Sequence, residues 1–170
     1  MLGNWASFWK KNHLLVSICV VLLLNNCSST NDFSNVPTIE KIEVTKTEMR
    51  QGSINNDSIL LVIHFTDGDG DFGSDTQENI FIEDSRTKTL VSAYKAPKVP
   101  DQGTGNGIAG KIWVTVYSSC CITSQNPNCC LDDFGCPPFN ELSYKVSIRD
   151  RAGNNSNMIE SPTIRLLCSL

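Results

Sequence analysis

Three aspartates alternate with glycines in one short stretch of this chain: Asp67, Asp69 and Asp71. This spacing lets three carboxylates converge on one point, while the glycines let the backbone curl tightly between them. Calcium takes about six to eight oxygen ligands, often from a flexible loop of this kind. Asp75 and Glu78 follow closely and offer further carboxylate oxygens. The sequence therefore predicts a calcium site here.

The stretch 67–78, called the acidic loop below, resembles the calcium loop of an EF-hand. The resemblance implies that Asp75 and Glu78 are ligands at the ninth and twelfth loop positions. Three features depart from that family. Phe72 stands where an EF-hand has its glycine, Gly73 comes one residue late, and the flanking segments read as strands. A solvated acidic turn or a site for another hard cation are the alternatives, although crowded carboxylates repel one another without a cation.

The N-terminal segment reads as an export signal. Lys10 and Lys11 form a basic region, and the apolar stretch 14–24 that follows is shorter than the roughly 20 residues of a membrane-spanning helix. Cys27 comes next, and the segment resembles the lipobox of bacterial lipoproteins. The resemblance implies that residues 1–26 are removed and that the cysteine is acylated, for example with palmitate.

Leu24 fits the lipobox, whereas Asn26 stands where a small residue is usual, so an ordinary secretory signal is the alternative. Without Lys10 and Lys11 the chain has 12 basic and 18 acidic residues, a net charge of −6. This balance argues against nucleic acid and against electrostatic docking to anionic lipids, so acyl chains would supply the membrane attachment. Ser28 follows the cysteine, at the position where an aspartate retains some lipoproteins at the inner membrane. We therefore expect an outer membrane lipoprotein on the periplasmic or cell-surface face.

Cysteines are the second group of reactive residues. Six follow the signal, and an even number in an oxidising compartment predicts disulfides at Cys120, Cys121, Cys129, Cys130, Cys136 and Cys168. About 15 pairings are open. Zinc is the alternative, but the spacing lacks paired C-x2-C knuckles and no histidine lies near. Five of the six lie between residues 119 and 141, so parity requires that Cys168 pair with one of them.

The elements that must position these residues read as β-strands. Residues 111–117 and 142–149 alternate between apolar and polar side chains, and residues 58–66 are almost wholly apolar. Seven strands are predicted, at residues 39–46, 58–66, 79–84, 89–94, 111–117, 142–149 and 162–168. This pattern resembles a seven-stranded immunoglobulin-like Greek-key β-sandwich at 38–170, preceded by a flexible tether at 27–37. A jelly-roll or another β-sandwich is the alternative.

In a sandwich wired this way, the acidic loop and the loops 97–110 and 150–157 emerge at one end, and the cysteine loop at the other. The loop 150–157 resembles the D-x-A-G-N turn of bacterial immunoglobulin-like extracellular domains. Asp150 or Asn154 would then complete the metal shell. In the alternative, Asp150 hydrogen-bonds the turn's own backbone and Gly153 supplies a positive φ.

No catalytic constellation is visible in the sequence. His64 is the only histidine after the signal, and it lies inside a predicted strand. Glu83 and Asp84 are neighbours on a strand and point to opposite faces. We therefore expect a non-catalytic, calcium-stabilised module that binds a glycan or a protein partner. A small metal-dependent hydrolase or an accessory subunit of an envelope complex are the alternatives.

Overall fold

A computed structural model describes residues 33–52, 57–100, 107–130 and 135–168. The predicted signal at 1–26 and Cys27 lie outside the described residues. All described residues belong to one compact unit, Asn31–Leu170. The strands, core and disulfides reported below lie within this unit, so we expect it to fold without the first 30 residues.

The described residues form β-strands and no helix, so the prediction of an all-β fold is confirmed. The strands are β1 (Thr38–Val44), β2 (Glu48–Arg50), β3 (Ser58–Asp67), β4 (Ile80–Asp84), β5 (Thr89–Tyr94), β6 (Ile108–Tyr117), β7 (Phe139–Leu142), β8 (Tyr144–Ile148), β9 (Ile159–Glu160) and β10 (Ile164–Leu167). Accordingly, the part of the chain that the structure describes has no helix long and apolar enough to cross a membrane.

The strands form three sheets. In the first, β3 lies between β1 and β6 and is antiparallel to both. The second has the order β5-β4-β8-β9, and every neighbouring pair in it is antiparallel. In the third, β10 lies between β2, which is parallel to it, and β7, which is antiparallel. This arrangement is consistent with a β-sandwich.

The described residues include three short strands, β2, β7 and β9, that the sequence analysis did not predict, and local features explain where β7 and β9 end. Ser143 separates β7 from β8, because its amide and that of Tyr144 donate to the hydroxyls of Ser85 (3.2 Å) and Ser161 (3.0 Å). These donors are thereby taken from the backbone ladder. Pro162 lies between β9 and β10 and has no amide hydrogen to contribute to a ladder.

The core consists of apolar side chains from alternate strand positions. Ile63 on β3 and Val116 on β6 belong to the same buried cluster as Ile82 on β4 and Val146 on β8. Burial of each such side chain stabilises the fold by about 1.5–3 kcal/mol. Trp113 points out of this cluster and is 60% exposed. The alternation predicted for β6 therefore has its apolar phase inside and its tryptophan outside.

Candidate metal centre

The acidic loop joins β3 to β4 at one end of the molecule. β3 ends at Asp67, which pairs with Ile108 at the start of β6. β4 begins at Ile80, which pairs with Ile148 at the end of β8. The turn after β8 and the segment before β6 therefore emerge at the same end as the acidic loop, as the sequence predicts.

Phe72 anchors the acidic loop to the core. Its side chain is 1% exposed, and its ring centroid lies 4.6 Å from that of Phe65. This burial accounts for a phenylalanine where an EF-hand has glycine. The tight turns on either side use Gly70 (φ 69°) and Gly73 (φ 88°), in the left-handed region that favours glycine. The loop therefore reaches its curvature by a different placement of glycines.

Backbone contacts from neighbouring segments fix the acidic loop. The amide of Gly68 donates to the carbonyl of Ser34 (2.7 Å), so the described end of the predicted tether contacts this loop. On the other side, the amide of Ser74 donates to the carbonyl of Ala96 at 2.9 Å. A Cβ on Gly73 would lie 2.0 Å from the carbonyl oxygen of Pro97. The loop is therefore packed between two segments of backbone.

The carboxylates of Asp67, Asp69 and Asp71 form a cluster in which one oxygen from each lies within 4.8 Å of the others. Calcium–oxygen distances are about 2.4 Å, so one ion between them could contact all three. Asp67 is fully buried, Asp71 is half-buried and Asp69 is exposed. Both oxygens of Asp67 and Oδ1 of Asp71 are buried without a hydrogen-bond donor among the described residues.

The electrostatics of the cluster are unfavourable without a cation. Burial, and then the negative charges of Asp69 and Asp71, raise the pKa of Asp67 to about 7. The pKa of Asp71 is also raised, by burial and by the charges of Asp150 and Asp69. A neighbouring positive ion removes both penalties, because it stabilises the ionised form of each carboxyl group.

No protein-family model, curated protein or solved structure matches this chain. The residues of the cluster and their contacts are therefore the basis for assigning a function.

Asp150 has the structural role that the sequence analysis gave as the alternative to metal binding. Its Oδ1 accepts a hydrogen bond from the amide of Asn154 (2.7 Å), and its Oδ2 accepts one from the same residue's side chain (2.8 Å). Gly153 in this turn has a φ of 94°. The carboxylate is buried and its charge raises the pKa of Asp67 and of Asp71, so it adds negative potential beside the cluster.

Asp75 and Glu78 are exposed and lie outside the cluster of three. Between them the backbone is held by Ser74, whose hydroxyl accepts hydrogen bonds from the amides of Thr76 (3.3 Å) and Gln77 (3.0 Å). The structure therefore brings together the first three predicted ligands and leaves the later two at the surface.

Arg151 helps to hold the acidic loop in place, and the sequence analysis did not identify this role. Its Nη1 donates to the carbonyl oxygens of Phe72 (3.0 Å) and Gly73 (3.2 Å), so it ties the turn after β8 to the acidic loop. The next residue, Ala152, donates its amide to Oδ2 of Asp71 at 2.9 Å. These contacts arise because the fold brings the two segments together, and no motif in either segment predicts them.

The disulfides lie at the opposite end, after β6 and β10. All six cysteines are paired, as Cys120–Cys130, Cys121–Cys168 and Cys129–Cys136, which leaves none of them for zinc. Gln51 is buried among them: its Nε2 donates to the carbonyl of Cys168, and its Oε1 accepts the amide of Cys121 at 2.9 Å. The disulfides and the hydrogen bonds of Gln51 therefore hold this end of the molecule together.

Proposed function

We propose that this chain is a calcium-stabilised, non-catalytic module of the bacterial cell envelope. The observation that carries the proposal is the buried carboxylate of Asp67, which has no donor among the described residues and lies beside Asp69 and Asp71. A buried charge is costly unless a charged partner or a metal neutralises it. Calcium suits the site better than magnesium, which demands octahedral geometry and gives up its water reluctantly.

An immunoglobulin-like Greek key is the finer fold that we propose. β1, β3 and β6 share one sheet, as the first, second and fifth strands of that fold do. β4 and β8 are neighbours in another sheet, in the manner of its third and sixth strands. β5 pairs with β4, as in the variants whose fourth strand joins the sheet of the third. These pairings support the proposal.

The same proposal places the module on a lipid anchor. We infer that residues 1–26 are removed, that Cys27 is acylated and that the protein resides at the outer membrane, on its periplasmic or cell-surface face. The order of basic region, apolar region and cysteine supports this, and three disulfides suit an oxidising compartment. A glycan or another envelope protein is the partner class that we propose.

Native mass spectrometry tests the metal assignment. The unit Asn31–Leu170, exported so that its disulfides form, should retain one calcium ion when sprayed from millimolar calcium. Asp69→Asn/Asp71→Asn should lose it, whereas the exposed Asp75→Asn should retain it. A wild-type unit that binds no calcium would contradict the proposal.

Labelling with a fatty-acid analogue tests the anchor separately. Label should appear on the wild-type chain and be absent from Cys27→Ser. Label that persists in the variant would show that Cys27 is not the acylated residue.

A further inference from the structure

A groove of about 580 Å³ lies between β6 and the segment 96–100. Small-molecule sites have volumes of about 300–1,000 Å³, so the groove is large enough for a small organic ligand. Its lining is mainly apolar and includes Phe65, Phe72, Val99, Pro100, Ile112 and Trp113. The tryptophan is 60% exposed, which is unusual for so large an apolar side chain.

Hydrogen bonds fix the walls of the groove. The amide of Val99 donates to the carbonyl of Phe72 at 3.2 Å, and the amide of Ala96 donates to Oδ1 of Asn79 at 2.7 Å. Across the gap, the hydroxyl of Tyr94 donates to the carbonyl of Thr115 on β6 at 2.7 Å. The segment 96–99 is therefore held in place, and a ligand would bind without first ordering this wall of the groove.

Among the described residues, the charges that line the groove are of one sign. Lys98 and Lys111 line it, and no acidic side chain among the described residues does. Neither ammonium group forms a salt bridge within the described ranges. This local positive charge belongs to a chain with 18 acidic and 14 basic residues. The combination favours an occupant with a negative charge and an apolar body.

We propose that this groove binds a small amphipathic anion, an organic molecule with an apolar body and a single carboxylate- or sulfonate-like head. The body packs against Val99 and Trp113, and the head is neutralised by Lys98 and Lys111. A neutral apolar molecule would gain only the first of these interactions. A second copy of this chain would have to place an anionic, apolar surface of its own against the same lysines.

Trp113 provides a reporter for this binding. It is the only tryptophan after the predicted signal, because the other two are Trp5 and Trp9. The probes are 8-anilinonaphthalene-1-sulfonate, an aromatic body with one sulfonate, and N-phenyl-1-naphthylamine, its uncharged counterpart. Each is titrated into the exported unit Asn31–Leu170, and energy transfer from the tryptophan is followed.

The charged probe should bind at one site per chain and quench Trp113. Lys98→Met/Lys111→Met removes both charges and keeps most of the apolar length of the two side chains. This variant should bind the charged probe about tenfold or more weakly. Its affinity for the neutral probe should stay within about twofold of the wild type. Lys88→Met/Lys145→Met removes the same two charges from residues that do not line the groove and should change neither affinity. Melting curves confirm that both variants are folded.

Three outcomes would overturn the proposal. They are the absence of saturable binding by the charged probe, an equal loss of both probes in the groove variant, and an equal loss of the charged probe in the two double variants. Sedimentation is run alongside, and a dimer that excludes the probe would identify a second copy as the occupant and also refute the proposal.

Discussion

The backbone amide of Ala152 donates a hydrogen bond of 2.9 Å to Oδ2 of Asp71, across two loops that are 81 residues apart in the chain. This contact fixes one oxygen of the carboxylate and leaves Oδ1 buried without a donor among the described residues. The turn after β8 therefore orients a carboxylate of the acidic loop. Metal binding and the packing of these two loops should stabilise each other.

Substitution of Asp67 should have opposite effects on stability with and without calcium. In a chelator, Asp67→Asn removes a buried charge that has no donor among the described residues and that neighbouring carboxylates repel, so unfolding should require more free energy, by about 1–3 kcal/mol. In millimolar calcium the variant lacks a ligand and should melt below the wild type. Paired thermal melts in chelator and in calcium measure both effects.

The control for these opposite changes in stability is Asp75→Asn, which alters an exposed carboxylate of the same loop outside the cluster. It should melt close to the wild type in both conditions. If Asp67→Asn were destabilised in chelator, the native site would have a donor for this carboxylate and the cation would be unnecessary.

Gly73→Ala should destabilise the fold more than Gly153→Ala. Both glycines have a positive φ, 88° and 94°, and this backbone conformation alone costs an L-residue about 1–2 kcal/mol. Only at Gly73 would the new Cβ meet backbone, since it would lie 2.0 Å from the oxygen of Pro97, whereas nothing lies within 4 Å at Gly153. Urea unfolding of both variants measures the difference, and equal losses would show that the segment at Pro97 yields freely.

Arg86→Met should cost about 3–5 kcal/mol, because it leaves the carboxylate of Asp84 buried without its charged partner. Arg86 Nη2 lies 2.6 Å from Oδ2 of Asp84, and the guanidinium also donates to Ser119 and Asn140. Asp84→Leu/Arg86→Met removes both charges and should recover part of the loss. Chemical denaturation that shows less than about 1 kcal/mol for the single variant would place the pair in solvent rather than in the interior.

The three disulfides should contribute unequally. Cys121–Cys168 spans 47 residues and should stabilise the fold by about 4 kcal/mol in the chain-entropy model, whereas Cys129–Cys136 spans 7 and should contribute about 2.5 kcal/mol. Replacing each pair with alanine and comparing unfolding by guanidinium tests the order. Loss of the buried sulfur of Cys121 adds to the first effect. A reversed order would show that loop closure is not the main contribution of these bonds.

Local sequence pattern was sufficient to predict most of the strands and the three clustered aspartates of the site. The alternation in residues 142–149 gave the buried phase of β8, and three aspartates spaced by glycines gave the cluster. Odd parity among the loop cysteines required a partner for Cys168, and the structure pairs it with Cys121. These features depend on residues that are close in sequence or on simple counting.

What the sequence could not give depends on contacts between distant segments. The role of Asp150 was left open because the sequence does not show whether its carboxylate faces Asn154 in its own turn or the distant acidic loop. The ion pair of Arg86 with Asp84 and its contacts to Ser119 and Asn140 carry no motif. The groove beside β6 exists because one sheet, the acidic loop and the segment 96–100 converge there, which no single segment encodes.

Calorimetric titration of calcium into the unit Asn31–Leu170 tests the central claim most directly. We expect one site per chain with a Kd of about 10⁻⁴ to 10⁻³ M, as in extracellular calcium modules. At about 2 mM calcium this corresponds to roughly 0.6–1.8 kcal/mol of added stability. Asp69→Asn/Asp71→Asn should abolish the heat of binding, and magnesium should produce little. No heat in the wild type at millimolar calcium, together with an unchanged melting temperature, would contradict the account and identify the acidic loop as a solvated turn.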